Sequence, residues 1–197
     1  MVKQIIGFTG EIAAGKTTST RYLIEKHGGV GCRFSTPMRD VVARLYLAEK
    51  RENLQAVSLA LRQSFGESFW SGVVAQDAQK IDAPLVAIDG IRRLADLEPF
   101  QNNPNFTLVY LKADLAKRFE RITVRGENAD DAGKTWAQFQ AEQNWEAERE
   151  IRALEPRAQV VIDNNGSRAE LDARLDQLIT SELLDQDLAA GDARGQQ

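Results

Sequence analysis

The residues Gly10-Glu11-Ile12-Ala13-Ala14-Gly15-Lys16-Thr17 fit the pattern G-x-x-x-x-G-K-[ST], and no other stretch restricts what this chain can fold into as much. The turn has physical meaning only between a buried strand and a helix. Both flanks agree. Lys3-Gln4-Ile5-Ile6-Gly7-Phe8-Thr9 is a short apolar run that reads as a strand, and Thr18 to Lys26 reads as a helix. In that setting successive backbone N–H groups curl around a phosphate, and the positive end of the helix dipole points at it. Lys16 brings a mobile charge towards β- and γ-phosphates, and Thr17 offers a hydroxyl oxygen to Mg²⁺. Gly10 to Thr17, with Thr18 beyond, are the candidate nucleotide-binding residues. Ala13 and Ala14 stand where such loops often carry Gly or Ser, and alanine at a positive φ is strained.

The rest of the chain alternates strand-like and helix-like segments. Val30–Ser35, Leu85–Asp89, Phe106–Leu111 and Gln159–Asp163 read as four further strands. Helices between them predict an α/β fold with a parallel sheet, right-handed crossovers and helices on both faces. Residues 36–80 are all helical in pattern, which is more than a crossover needs, so they read as an inserted subdomain that closes over something. Thr36 caps its first helix, with Pro37 at the first helical position; Asn53 caps the second, and Gly66 breaks it. A helix follows over Leu94 to Phe100, and Asp114 caps another that ends near Arg125. Gly126 to Lys134, with Asp130-Asp131, reads as an exposed loop, and Thr135 to Leu154, with Trp145, as one long charged helix. Ser167 caps the last helix. The expected domain is 1–188, with a disordered tail over 189–197.

Asp89 ends its strand on an acid, at the carboxyl edge where open α/β sheets bind ligands. Arg118, Arg121 and Arg125 share one helix face. The formal net charge of −4 argues against binding nucleic acid or an anionic membrane through bulk charge. Cys32 is the single cysteine, which suits a reducing cytosol. No apolar run reaches the length of a membrane span, and Gly7, Thr9 and Gly10 interrupt any signal-peptide core. A cytoplasmic protein acting on a small molecule is therefore expected, with its oligomeric state left open.

Four segments in order resemble the P-loop nucleoside/nucleotide kinase family, in its adenylate-kinase-like branch. They are the loop at 10–17, Phe34-Ser35-Thr36-Pro37-Met38-Arg39-Asp40, Ile88-Asp89-Gly90-Ile91-Arg92, and Val161-Ile162-Asp163-Asn164-Asn165-Gly166-Ser167. The second resembles the start of the acceptor-binding helix in phage-type deoxynucleoside monophosphate kinases. The run from 85 to 180 resembles a group of small archaeal kinase-like proteins. The resemblance implies a three-layer sandwich with strand order 2-3-1-4-5, an acceptor-binding region at 36–80 and a short lid at 118–150. It implies transfer of the ATP γ-phosphoryl group to a (deoxy)nucleoside monophosphate, with ATP and Mg²⁺ as cofactors.

By position, Arg39, Arg62 and Arg92 would hold the acceptor phosphate. Arg118 or Arg121, Arg125 and Arg149 would face the transferring phosphoryl group beside Lys16, Asp89 would hold Mg²⁺ near the substrates, and Asn164 and Asn165 would lie near the adenine. Phosphoryl transfer asks for positioning and charge neutralisation, and arginine meets both needs through its planar, permanently charged fork. Three departures leave alternatives open. Gly90 is followed by Ile91-Arg92 where adenylate kinases carry proline, the lid has no Cys or His set for zinc, and the second strand lacks the Asp-Ala-Asp run of dephospho-coenzyme A kinases. A kinase for another small molecule, such as dephospho-coenzyme A, and a nucleotide-dependent switch ATPase are the competing readings.

Overall fold

Gln4–Thr9 forms the central strand β1 of a five-stranded sheet, all its residues buried. The computed structural model describes residues 3–125, 133–144 and 146–194, and the side chains of these except 125, 146–147 and 182–194. The other strands are β2 (Val30–Arg33), β3 (Leu85–Asp89), β4 (Phe106–Lys112) and β5 (Val160–Asp163). All pair in parallel, in the order β2-β3-β1-β4-β5. The expected topology is the observed one.

Side chains alternate across the sheet with period two, and both faces are covered. Ile5, Val86, Ile88, Leu108 and Tyr110 point to one face, where they meet Phe34, Trp70, Val74, Ala78, Phe100, Ile151 and Leu154. Ile6, Phe8, Leu85, Ala87, Val109, Leu111 and Ile162 point to the other, against Leu23, Leu171, Leu175, Leu178 and Ile179. The second face is thus closed by α1 (Lys16–His27) and α8 (Arg168–Arg194). The first is closed by α4 (Phe69–Lys80), with α2 (Thr36–Arg44) and α3 (Arg51–Phe65) stacked outside it. α5 (Leu115–Arg125), α6 (Trp136–Glu142) and α7 (Glu146–Arg152) lie between β4 and β5 in the chain. Phe119 of α5 packs edge-on against Trp136 and tilted against Phe139 of α6.

The structure differs from the sequence reading in five places. Residues 135–154 form two helices, not one. Gln143 follows α6, its amide donating to Phe139 O, while its two oxygens accept from Arg118 and Arg152. Those tertiary bonds end the helix where no Gly or Pro marks an end. Leu94–Phe100 is a 3₁₀ helix, with Pro99 inside it and Asp96 accepting from the backbone at its start. Lys50, not Asn53, precedes α3, and the Asn53 amide donates to Ala48 O. Ser35 takes the cap position of α2, one residue before the expected Thr36. α8 continues past Leu188 to Arg194, since Ala189-Ala190 and Asp192-Ala193-Arg194 are compatible with helix. The expected loop acids Asp130-Asp131 and Trp145 lie outside the described residues. No helix among the described residues is long and apolar enough to cross a membrane.

Candidate functional site

β1 and β3 end side by side, because their register pairs Phe8 with Asp89. The turn that leaves β1 and the acid that closes β3 therefore share one edge of the sheet. Thr9 Oγ1 reinforces this by donating to Ile91 O at 2.8 Å.

The turn needs glycine at two points. Gly10 has φ 139°, and a Cβ there would stand 2.4 Å from Leu111 O. Gly15 has φ 112°, and a Cβ there would stand 2.4 Å from Asn164 Nδ2. Ala13 also adopts the left-handed region, at φ 60°. The strain that the sequence raised as a question is therefore present, and it costs roughly 1 kcal/mol. α1 starts at Lys16, and its first turn carries no acid, so nothing on the helix competes for its free N–H groups.

Lys16 Nζ folds back over the loop and donates to Gly10 O at 2.6 Å and Glu11 O at 3.1 Å. Thr17 Oγ1 donates to Asp89 Oδ2 at 2.9 Å. A hydroxyl and a carboxylate oxygen, placed beside a phosphate cradle, form a donor set that suits Mg²⁺, which prefers one or two carboxylates with substrate phosphates and water. Among the described residues no cluster of three His, Cys, Asp or Glu residues offers an alternative metal cage.

Residues distant in sequence brace the loop. Asn164 is buried and donates its amide to Ala14 O at 2.8 Å, from behind the turn. Arg121 Nη2 donates to Asn164 O at 2.7 Å, so this arginine sits at the Asn164 side, and its Nη1 is buried without a partner among the described residues. Asn165 Oδ1 accepts from the Asp114 N–H, before α5. Arg118 is buried: its Nε donates to Ala113 O, its Nη1 to Gln143 Oε1, and its guanidinium lies over the Phe139 ring. Arg118 Nη2 and Arg152 Nη1 both reach Glu11 Oε1, at 3.2 and 3.0 Å. Glu148 Oε2 accepts from the Ile12 N–H at 3.4 Å. The Arg125 side chain lies outside the described residues.

The arginines expected to hold the acceptor are less drawn together. Arg39 pairs with Glu49 and approaches Ser35 Oγ. Arg92 and Arg149 are exposed. Arg62 is half-buried, with no partner for Nε among the described residues. Burial, helped by the charge of Arg93, pulls its pKa down, although a guanidinium stays protonated. Beside it, Arg93 pairs with Glu67 at 3.1 Å and Glu150 at 3.3 Å. Asp96 is buried, and its Oδ2 accepts from the N–H groups of Arg92 and Arg93. Burial pushes its carboxyl above the usual range, against the pull of those two N–H groups and of Arg62.

Sequence reasoning missed Arg152, Glu148 as a partner of the loop, Arg93 and Asp96. One signal was available: Glu148 and Arg152 stand four residues apart and so share a helix face. Nothing in the sequence linked either to Glu11 or Ile12.

Residues 6–150 match the AAA_18 family, described as an AAA domain. A UPF0200 protein of Thermococcus kodakarensis, TK1334, is 28% identical over 181 residues, covering 89% of this chain and 96% of that one. The UPF0200 protein MJ1399 of Methanocaldococcus jannaschii is 30% identical over 163 residues, covering 76% and 72%. Among solved structures, TT1252 of Thermus thermophilus superposes with a TM-score of 0.56 at 20% identity, over 92% of this chain and 98% of that one. A gluconokinase of Sinorhizobium meliloti gives 0.54 at 15% identity, over 93% and 97%. A shikimate kinase of Acinetobacter baumannii, solved with shikimate, gives 0.51 at 20% identity, over 91% and 94%. The fold is that of the P-loop kinases.

Proposed function

This chain belongs to the AAA domain family and to the UPF0200 proteins, and from that premise we propose that it moves the ATP γ-phosphoryl group to a (deoxy)nucleoside monophosphate. The observation that carries the proposal is the contact of Thr17 Oγ1 with Asp89 Oδ2 beside Lys16, at the carboxyl edge of the sheet. A carboxylate with a hydroxyl partner, next to a glycine-bounded turn and a lysine, is the apparatus of nucleotide phosphate binding.

In this reading the N–H groups at the start of α1 hold the ATP phosphates, and Lys16 exchanges the carbonyls of Gly10 and Glu11 for phosphate oxygens. Thr17 and Asp89 would hold Mg²⁺, which when bound neutralises charge across the β- and γ-phosphates. Arg118, fixed by Ala113 O and Gln143, reaches the loop from the lid side at 118–150. Asn164 supports the loop through Ala14 O, and Asn165 holds the start of α5; both stand on the side assigned to adenine. The region at 36–80 supplies Arg39 and Arg62 to the acceptor, and Arg92, with Arg93 beside it, approaches from the turn after β3. No covalent intermediate is needed, because the arginines and the lysine act by holding two anionic partners in line.

A second reading rests on Arg62 and Arg93. A guanidinium fork binds a carboxylate as well as a phosphate. A small carboxylic or alcohol-bearing acceptor therefore competes with the monophosphates, and the two named fold neighbours that act on shikimate and gluconate belong to that class. The test is ATP consumption with Mg²⁺ against a panel: every ribo- and deoxynucleoside monophosphate, dephospho-coenzyme A, shikimate, gluconate, and no acceptor. Stimulation by a monophosphate, with the matching diphosphate formed, is expected. Stimulation only by a non-nucleotide acceptor would replace the substrate class. Slow hydrolysis, equal in every well, would point to a nucleotide-dependent switch.

A further inference from the structure

Glu11 lies within the phosphate-binding turn, yet it is an acid, and it draws two arginines onto one oxygen. Arg118 Nη2 and Arg152 Nη1 both reach Glu11 Oε1, at 3.2 and 3.0 Å. A second carboxylate, Glu148, accepts from the N–H of Ile12, the next residue of the turn. Two carboxylates thus use donors at a place whose chemistry suits phosphate oxygens. The environment sharpens the effect. The side chains of Glu11 and Arg118 are 14% and 5% exposed, so their attraction is poorly screened, whereas Arg152 is 39% exposed and has room to turn. Arg118 is also pinned by Ala113 O and Gln143 Oε1, so it stays where it is. Arg152 is held besides by Gln143 O alone among the described residues.

We propose that Glu11 is an internal competitor of the nucleotide's terminal phosphate, and that Arg152 moves from Glu11 to the γ-phosphate when ATP binds. The proposal rests on the nucleotide-binding reading above and adds a residue and a step to it. Arg152 becomes a γ-phosphate ligand that no sequence pattern had marked. Glu11 becomes a positioning residue that keeps Arg152 close to the loop and makes its release depend on a third phosphate. A γ-phosphate carries more negative charge than a single carboxylate and offers three acceptor oxygens, so it outcompetes Glu11 for the fork. ADP offers no such group, and Arg152 then stays on Glu11. The exchange would make the position of Arg152 depend on the presence of ATP rather than of any nucleotide.

The test is direct binding of ATP and ADP, each with Mg²⁺, by calorimetry, to the full chain and to Glu11→Gln, Arg152→Ala and the double variant. A melting curve for each variant establishes that it is folded. Glu11→Gln keeps the shape of the side chain and removes the competing charge, so ATP is expected to bind roughly tenfold tighter, and ADP about as before. Arg152→Ala is expected to weaken ATP by a similar factor, and in its background Glu11→Gln should gain nothing. A tightening equal for ATP and ADP would overturn the exchange, because the carboxylate would then act only through its field. Weaker ATP binding in Glu11→Gln would overturn it as well, leaving Glu11 as a support that merely holds the arginines in place. If the unaltered chain binds neither nucleotide, the nucleotide-binding reading falls, and the exchange with it. That result is distinguishable from the other two, which both require measurable binding.

Discussion

The P-loop end of this molecule and the flank proposed to hold the acceptor are built in opposite ways. At the P-loop end, eight consecutive residues set the shape, and their backbone does most of the work. Gly10 and Gly15 permit the turn, Lys16 opens α1, and Thr17 meets Asp89 from the next strand of the sheet. At the proposed acceptor flank, α2, α3 and α4 carry few constraints of that kind. α3 has no fully buried residue, and Leu45, Tyr46, Leu47, Leu59 and Phe65 are exposed. Its charged groups come from five separate segments: Arg39 from α2, Arg62 from α3, Glu67 and Arg93 from two different loops, and Glu150 from α7. A contiguous motif fixes chemistry by local geometry. A dispersed one leaves chemistry open until the helices pack, and this is why the acceptor is harder to name than the phosphoryl donor.

The contrast can be broken at its strongest point by Lys16→Ala. Turnover is expected to fall about 10²–10³-fold with little change in melting temperature, since one preorganised charge is lost from a surface loop. A variant with near-normal kcat would remove the turn from the chemistry and erase the distinction between the two ends. Arg62→Ala tests the other side. Acceptor KM should rise roughly tenfold while the KM for ATP stays within about twofold, if Arg62 holds the acceptor as proposed. Equal changes in both constants would mean that Arg62 acts on the fold, through its charge near Arg93 and Asp96. The smallest effect concerns the loop's own strain. Ala13→Gly relieves a left-handed alanine but loosens the unfolded chain, and the balance is a gain of about 0.5 kcal/mol in denaturant unfolding. Destabilisation in that titration would show that the Ala13 methyl packs usefully enough to outweigh its φ of 60°.

Much of this structure was legible in the sequence, for reasons that differ by region. Leu85–Asp89 and Phe106–Lys112 are continuous apolar runs, and a run of that kind between helices has few places to go but a doubly covered parallel sheet. Asp89 could be placed at the carboxyl edge from its strand alone, and the resemblance to the P-loop kinases set it beside Thr17. The lid-side contacts were illegible. Glu11 with Arg118 and Arg152 joins residues more than one hundred positions apart, and such pairs have no period or spacing. Arg92 and Arg93 illustrate the finer limit. They are neighbours in the chain, both following the Asp-Gly turn. Yet the cap formed by Asp96 leaves Arg92 exposed and lets Arg93 reach Glu67 and Glu150.

By itself, then, the sequence determined the alternation of strands and helices in a parallel sheet, the phosphate turn and the carboxyl edge at which Asp89 stands, while the strand order came from the resemblance to the P-loop kinases. The first three follow from local geometry: side-chain alternation, glycine at positive φ, and the handedness of crossovers. Only the tertiary structure decided which arginines attend the loop, where the helix after Thr135 breaks, and how Ala13 is strained. Those outcomes depend on Coulomb attraction and burial between segments distant in the chain. Such energies exist only once the sheet has brought the segments within a few ångströms of one another.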